Sequence, residues 1–341
     1  MNETTTIPKP PRSTANPSPM RAAASVRRTT SIDVEWVDGP QSDRRFHCRA
    51  RDYRTISGDR AGRELATARM EATIAFDKTI KAIEADPAPA NLQRLVGEKG
   101  GSHLRMVMSE VLPDLIASGN PLYLLLDDIS GVSLISAWAW SQWDPEWSAS
   151  MRQNMPPEQL EKFMDRAGVC WGLQLGNSGM QQFEGGPHKD VGTADGGELR
   201  NPSDPAGWHE FPAIEGVSMR RARRIDVRRD PASGVIEIDA AFQDSAPRPG
   251  GGRSALHEYR IAATADPTTF ELLTLVPEAR VLPFHECPGA VANALGMIGV
   301  PLPEIRAAVL AQLRGPRGCT HLNDALRALA EVPHLVEQLE D

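Results

Sequence analysis

The feature that most constrains the fold of this chain is an internal repeat. The segment 27–34 reads Arg-Arg-Thr-Thr-Ser-Ile-Asp-Val, and the segment 220–227, which lies 193 residues later, reads Arg-Arg-Ala-Arg-Arg-Ile-Asp-Val. The features that follow each segment recur in the same order: an extended piece that ends in Asp, an alternating strand, an apolar pair before Gly, and an amphipathic helix. Self-similarity at a nearly constant offset is typical of a duplicated structural unit. The sequence therefore predicts two copies of one unit.

Each copy is predicted to contain antiparallel strands followed by helices. Val235, Ile236 and Ile238 lie beside turn residues, which is typical of a strand, whereas Ile305–Leu313 has apolar residues at helical spacing. A unit in which strands precede helices belongs to the α+β class. If the two copies pack together, a cleft between them is a natural ligand site. The repeat is also compatible with two independent lobes.

The composition divides the chain into four parts. Residues 1–25 are rich in Thr, Pro, Ser and Ala and lack the apolar core of a secretory signal. This composition predicts a disordered tail. The first copy occupies residues 26–128, and a middle segment rich in Trp and Met occupies residues 129–218. The second copy, 219–341, carries the candidate site, whose side chains the first copy lacks.

Charge and hydropathy exclude several classes of function. The net charge of −8 gives no overall attraction to nucleic acid or to anionic membranes. No uninterrupted apolar run reaches the roughly 18 residues of a membrane-spanning helix. The four cysteines form no Cys-x-x-Cys pair, so free thiols in a reducing cytoplasm are expected. The partner expected is a small-molecule substrate, and a homodimer or a complex with a partner enzyme is compatible with the sequence.

One basic segment stands out against this acidic background. Six arginines lie between Arg220 and Arg229. They could bind a phosphate group or a coenzyme A tail. We interpret them instead as the solvated face of an edge strand.

The densest group of reactive side chains lies in Gly318–Asp324. This stretch contains Cys319, His321, Asn323 and Asp324, follows a turn, and precedes apolar residues at helical spacing. The free backbone N–H groups and the positive dipole end at a helix start favour a thiolate. A reactive thiolate is therefore expected at Cys319.

A metal site is one interpretation of this stretch. Two short pairs of ligand-type residues lie on separate segments of the second copy, namely His285 with Cys287 and Cys319 with His321. Thiolate and imidazole are ligands that zinc and iron prefer. These four residues are the candidate metal ligands, with zinc or iron as the candidate cofactor.

Catalysis without a metal is the second interpretation. Cys319 could be a nucleophile, with His321 or His285 as its base and Asp324 or Glu286 as the group that orients the base. Alternatively, His321 and Asp324 act as general acid and base while Cys319 is only buried. A structural role also stays open, because free Cys is often found in protein cores.

The middle segment is predicted to supply a substrate pocket. Trp138, Trp140 and Trp171 lie in it, and tryptophan offers a large contact surface for an apolar or aromatic ligand. Tyr123, at the end of the first copy, and Asn323 complete the predicted substrate contacts. The same tryptophans could instead fill the joint between two lobes.

The second copy resembles a known family. The stretch from Arg223 through Glu286-Cys287-Pro288 to Gly318-Cys319-Thr320-His321-Leu322 is similar to the bacterial proteins grouped as domain of unknown function 2889, whose members typically end in a Gly-Cys-Thr-His-Leu signature. The longer actinobacterial-type members look most similar. The resemblance implies that Cys287, Cys319 and His321 belong to one site, whereas His285 lies outside the signature. It implies no particular activity.

These observations predict a small-molecule catabolic enzyme. The expected substrate is a partly apolar or aromatic acid derivative, with acyl thioesters included, and the expected reaction is hydration, retro-aldol cleavage or hydrolysis. Cys319 or His321 is expected to be the central group, with Asp324 as its partner. The alternative is a non-catalytic metal- or ligand-binding protein, or an accessory partner of an enzyme.

Overall fold

The computed structural model describes residues 13–144, 146, 147, 150, 165–181 and 191–339. The strands in chain order are β1 (Ser25–Trp36), β2 (Arg44–Thr55), β3 (Gly62–Ile74), β4 (Ile80–Asp86), β5 (Ala194–Asp195), β6 (Ser218–Arg229), β7 (Ile236–Pro247), β8 (Arg253–Ala265) and β9 (Leu272–Val281). They form one antiparallel sheet in the order β4-β3-β2-β1-β6-β7-β8-β5, and β9 also pairs with β8.

Short helices follow each set of strands. The α-helices are α1 (Leu104–Val111), α2 (Pro113–Ala117), α3 (Leu122–Ile135), α4 (Ser178–Gln181), α5 (Val291–Ala294), α6 (Ile305–Gln312), α7 (Thr320–Arg327) and α8 (Val332–Glu337). The 3-10 helices are Leu92–Leu95, Ser136–Gln142, Trp171–Leu173, Pro205–Gly207, Cys287–Ala290, Leu295–Met297, Leu302–Glu304, Gly315–Arg317 and Ala328–Glu331. The predicted α+β class is therefore confirmed.

The two predicted copies share a single sheet. Strand β1 of the first copy pairs with β6 of the second along most of their length, from Ser25 opposite Arg228 to Glu35 opposite Ser218. The pairing of β2 with β3 shifts register between Asp52 and Tyr53, and that of β7 with β8 shifts between Asp244 and Ser245. These shifts occupy equivalent places in the two halves. The duplication itself stays a prediction.

Helix α3 packs against one face of this sheet. It contacts β1, β2 and β3, and it is buried around most of its circumference, as expected for a helix that is apolar on all sides. The predicted boundary at residue 128 falls inside this helix. The stretch Leu122–Gln142 is long and apolar enough to cross a membrane, but 67% of its most apolar window is buried inside the protein.

The N-terminal residues 13–24 lie on the opposite face of the sheet. The Ser18 N–H donates to the Leu199 carbonyl, and the buried Arg21 forms an ion pair with Asp204 at 2.7 Å. The predicted disordered tail is therefore corrected for residues 13–25, because a buried ion pair and backbone hydrogen bonds hold them. Residues 1–12 lie outside the described part of the chain, as do 151–164 and 182–190 of the predicted Trp- and Met-rich middle.

The arginine-rich segment forms a central strand. Strand β6 lies between β1 and β7, and Arg221, Arg223 and Arg224 are almost completely buried. Arg221 and Arg223 point to the helices, where Asp128 accepts hydrogen bonds from both. The interpretation of this segment as a solvated edge is wrong, because carboxylates from distant parts of the chain neutralise its arginines.

Candidate functional site

An apolar pocket of about 370 Å³ lies between the end of α3, the residues 165–181, and the start of α7. Most of its lining side chains are aliphatic, aromatic or sulfur-containing. The residues that matter for its chemistry are Trp138, Arg166, Cys170, His257, Cys287, Cys319 and His321. The pocket is therefore apolar over most of its wall and carries its polar groups on a small part of it.

Two stacked histidines form the polar wall of the pocket. The rings of His257 and His321 lie with their centroids 3.5 Å apart and their planes at 17°. Asp244 lies beside both, with its Oδ2 atom 3.3 Å from His257 Nδ1 and 3.8 Å from His321 Nε2. All three side chains are buried, with residue exposures of 0% for Asp244, 5% for His257 and 7% for His321.

The β7–β8 hairpin and the first turn of α7 place these residues together. Asp244 and His257 are directly opposite each other in the ladder, at the point where its register shifts. A register shift of this kind bends the strand and re-aims a side chain. His321 lies in the first turn of α7, which packs on β7 and β8. The cluster therefore depends on strand pairing and on helix packing at once.

A buried arginine fixes the carboxylate of the cluster. Arg221 donates through Nε and Nη2 to the two oxygens of Asp244, at 2.9 and 3.1 Å. Burial alone would raise the pKa of this carboxyl, but Arg221 and His257 together outweigh burial and hold the pKa well below its usual range. Asp244 is therefore ionised, and its orientation is set by a bidentate contact.

Both imidazoles are uncharged at neutral pH. Burial lowers the pKa of His257, and the nearby Asp244 carboxylate opposes that shift only in part. Burial also lowers the pKa of His321 well below its usual value, and His257 adds to the effect. Among the described residues, no group makes a hydrogen bond of good geometry to His257 Nδ1 or to His321 Nε2, although both atoms are buried. Asp244 Oδ2 lies 3.3 Å from the first nitrogen and 3.8 Å from the second.

The cysteines of the pocket are protonated. Cys319 is the N-cap residue of α7, as the sequence predicts, but burial raises the pKa of its thiol. The contacts with Tyr259 and with the backbone N–H groups of Leu322 and His321 offset burial only in part. Burial likewise raises the pKa of Cys287, and it raises that of Cys170 to about 11. The thiolate expected at Cys319 is thus corrected, because loss of hydration outweighs the helix start.

The other predicted catalytic residues lie outside the lining of the pocket. Asp324 accepts a hydrogen bond from Arg105 at 2.8 Å and lies 3.4 Å from Arg221, so it belongs to the buried ion-pair network. Glu286 accepts hydrogen bonds from the N–H and the hydroxyl of Ser178. His285 is next to Glu286 and has a largely exposed side chain.

The ligand-type residues that lie together in the structure differ from the predicted metal ligands. Within the described residues, the group of ligand-type side chains whose donor atoms all lie within 4.8 Å of one another is Asp244, His257 and His321. Cys287 and Cys319 share the pocket with His321 but are not members of that group, and neither is His285.

One of the predicted substrate contacts lies in the pocket. Trp138 lines it, whereas Trp140 packs edge-on against Trp36 with centroids 5.6 Å apart. The ring of Trp171 lies against Gly289, outside the lining. The two remaining predicted contacts are structural: Tyr123 lies under the Arg306 guanidinium, and Asn323 donates to the carbonyl of Leu313.

Asp244 and His257 are functional candidates that the sequence prediction missed. Neither residue is among the site residues predicted from the sequence. The signal that could have found them is the glycine run at 250–252, which predicts a hairpin loop. Asp244 and His257 are almost equally distant from this loop, so antiparallel pairing brings them opposite each other.

A protein-family model matches part of the chain. Residues 219–334 match the family model described as "Protein of unknown function (DUF2889)". This segment contains β6 to β9, α5 to α7 and all three members of the Asp244–His257–His321 cluster. No curated protein and no solved structure matches the chain.

Proposed function

We propose that the protein is an enzyme that acts on a small, partly apolar or aromatic acid derivative. The observation that carries the proposal is an apolar pocket that opens on a buried cluster of two uncharged imidazoles and one fixed carboxylate. Apolar pockets with a few convergent polar groups are the usual form of small-molecule sites. Uncharged imidazole nitrogens without hydrogen-bond partners are available to a substrate proton or to a metal ion.

The size of the pocket restricts the substrate. A cavity of about 150 Å³ can hold benzene, so the pocket of about 370 Å³ has room for one substituted ring. An acyl thioester would place only its acyl part inside. Trp138 offers a flat apolar surface for a ring. A single-ring acid, or the thioester of such an acid, fits the volume of the pocket and this surface.

The reaction class proposed is the one that the sequence suggested, namely hydration, retro-aldol cleavage or hydrolysis. Each needs a group that accepts or donates a proton at the substrate or that polarises it. His321, which the sequence already offered as the central group, takes this role together with His257, in place of Cys319 and of Asp324 as the partner. The thiols of Cys319 and Cys287 then shape the pocket wall.

A panel of single-ring aromatic acids and their thioesters tests the proposal. Binding is followed by tryptophan fluorescence and turnover by mass spectrometry. We expect turnover of at least one compound by the wild type and a loss of about 100-fold or more in His321→Ala and His257→Ala, with unchanged circular dichroism. His103→Ala removes an exposed imidazole and is the matched control. Wild-type turnover in both pocket variants would contradict the proposal.

The variant Cys319→Ser separates the proposal from nucleophilic catalysis by a thiol. Loss of turnover in Cys319→Ser, with activity retained in His257→Ala, would restore the thiol as the central group. The second candidate function, a non-catalytic metal- or ligand-binding protein, is favoured by the geometry of the same cluster. It predicts tight binding with no turnover of any compound in the panel.

A further inference from the structure

Three donor atoms of the cluster converge on one small volume. The Asp244 Oδ2 atom, His257 Nδ1 and His321 Nε2 all lie within 4.8 Å of one another. The two measured separations from Oδ2 are 3.3 and 3.8 Å. A tetrahedral metal with bonds of about 2.0–2.1 Å holds its ligand atoms about 3.4 Å apart. The cluster therefore has nearly the spacing that a metal ion requires.

The two nitrogens face the Asp244 carboxylate. Both are buried, and in the described part of the chain neither makes a hydrogen bond of good geometry, although buried polar atoms are normally paired. Thr320 Oγ1 lies 3.3 Å from His321 Nδ1, and in the tautomer whose Nδ1–H donates to this hydroxyl the lone pair of the ring is on Nε2. Arg221 donates hydrogen bonds to both oxygens of Asp244 and thereby fixes the orientation of the carboxylate. Groups that hold ligating side chains in this way are typical of metal sites.

We propose that Asp244, His257 and His321 bind one divalent transition-metal ion, zinc or ferrous iron, whose remaining coordination positions face the apolar pocket. Two imidazoles and one carboxylate suit both metals. Three protein ligands leave at least one position open, which is the arrangement of catalytic rather than structural sites. On binding, the stacked rings must tilt apart so that both lone pairs point to the ion.

This inference extends the proposed function, and a catalytic role of the metal rests on that function. A bound ion would polarise a carbonyl group or activate a water molecule next to the ring of the substrate. Metal binding itself does not depend on turnover. The two ideas can therefore fail separately.

The test is metal binding by the full-length protein. The purified chain is stripped with a chelator and titrated with Zn²⁺ and with Co²⁺, and bound metal is measured by elemental analysis. We expect one ion per chain in the wild type and binding at least about 10-fold weaker in His257→Ala and in His321→Ala. His285→Ala, which alters the ligand set predicted from sequence and lies outside the pocket lining, should bind as the wild type does.

The cobalt spectrum decides the ligand set in the wild type, whether or not a variant folds. Nitrogen and oxygen ligation gives no thiolate-to-cobalt charge-transfer band, and its absence in stoichiometrically loaded protein supports the proposal. Such a band would overturn it in favour of Cys287 and Cys319. Failure of the wild type to bind one equivalent of Zn²⁺ or Co²⁺ would also overturn it.

Turnover measurements separate the metal inference from the proposed function. If the metal-free wild type converts a substrate at the full rate, a catalytic role of the metal is contradicted and the proposed enzymatic function is supported. If one ion binds at the three residues and no compound is converted, the metal site is supported and the proposed enzymatic function is contradicted.

Discussion

Buried arginines connect the centre of the sheet to the helices at the scale of single residues. Arg28 on β1 donates through two nitrogens to Asp52 and through a third to Glu331, which lies in the second predicted copy. Arg221 on β6 donates to Asp244, and its Nη1 reaches Asp128 in the first copy. Each arginine therefore reaches a carboxylate of the other half. Such contacts fix how the halves dock, because a buried charge tolerates few alternative partners.

Removal of Arg28 is predicted to destabilise the protein strongly. In Arg28→Met the carboxylates of Asp52 and Glu331 lose this buried partner, and breaking a buried ion pair typically costs about 3–5 kcal/mol. Urea unfolding measures the change in the free energy of unfolding. Arg45→Met is the matched control, since the Arg45 side chain is 58% exposed and lies 4.0 Å from Glu35. There the expected loss is below about 1 kcal/mol, and equal losses in the two variants would contradict the prediction.

Residues of the site were predictable only where they are close in sequence. Cys319 and His321 were found because they lie in one short polar stretch. Asp244 and His257 were missed because their chemistry depends on a hairpin pairing that brings them together. The thiolate was wrongly expected because the sequence shows the helix start but not the burial that opposes it.

At the scale of elements, the segment 165–181 forms one wall of the pocket and is held by close backbone contacts. The Trp171 N–H donates to the Gly318 carbonyl at 2.8 Å, beside Cys319. The Trp171 ring lies so close to Gly289 that a Cβ atom there would be 2.3 Å from the ring nitrogen. The short helix Cys287–Ala290 therefore needs glycine at this position to accept the pocket wall.

Substitution of Gly289 is predicted to displace that wall. In Gly289→Ala the added methyl group overlaps a rigid indole ring, and overpacking of this kind typically costs about 1–3 kcal/mol. Thermal unfolding should show a lower Tm, and any ligand of the pocket should bind more weakly. Gly250→Ala is the control, because a Cβ atom at Gly250 meets nothing within 4 Å. An unchanged Tm in Gly289→Ala would show that Trp171 moves aside at no cost.

The positions of elements in the sheet were harder to predict than their existence. Helix α6 follows its sequence pattern closely, since Ile305–Leu313 was predicted and Ile305–Gln312 is observed. Strand β6 was assigned to an edge because it carries many arginines. Whether a strand lies at the edge or in the centre depends on the whole sheet, and the carboxylates that neutralise β6 lie on β1, β7, α3 and α7. No local sequence pattern indicates that these carboxylates lie next to β6.

At the scale of the whole molecule, the two halves share one sheet and are joined by buried ion pairs. The β1–β6 ladder runs through the middle of the sheet, and the buried ion pairs of Arg28 and Arg221 cross between the halves. The sequence is compatible with two packed copies and also with two independent lobes. It does not distinguish these arrangements, because the difference depends on whether β6 pairs with a strand of the other half.

The second half alone is therefore predicted not to form a folded monomer, although the family model matches residues 219–334 within it. A fragment 219–341 would expose the full edge of β6, and Arg221 would lose its contact with Asp128. We expect it to be unfolded, aggregated or dimeric through β6, as measured by circular dichroism and light scattering. Co-expression with residues 1–218 is the control and should restore a soluble complex. A fragment 219–341 that is monomeric and unfolds cooperatively would show that the ladder joins two independent domains.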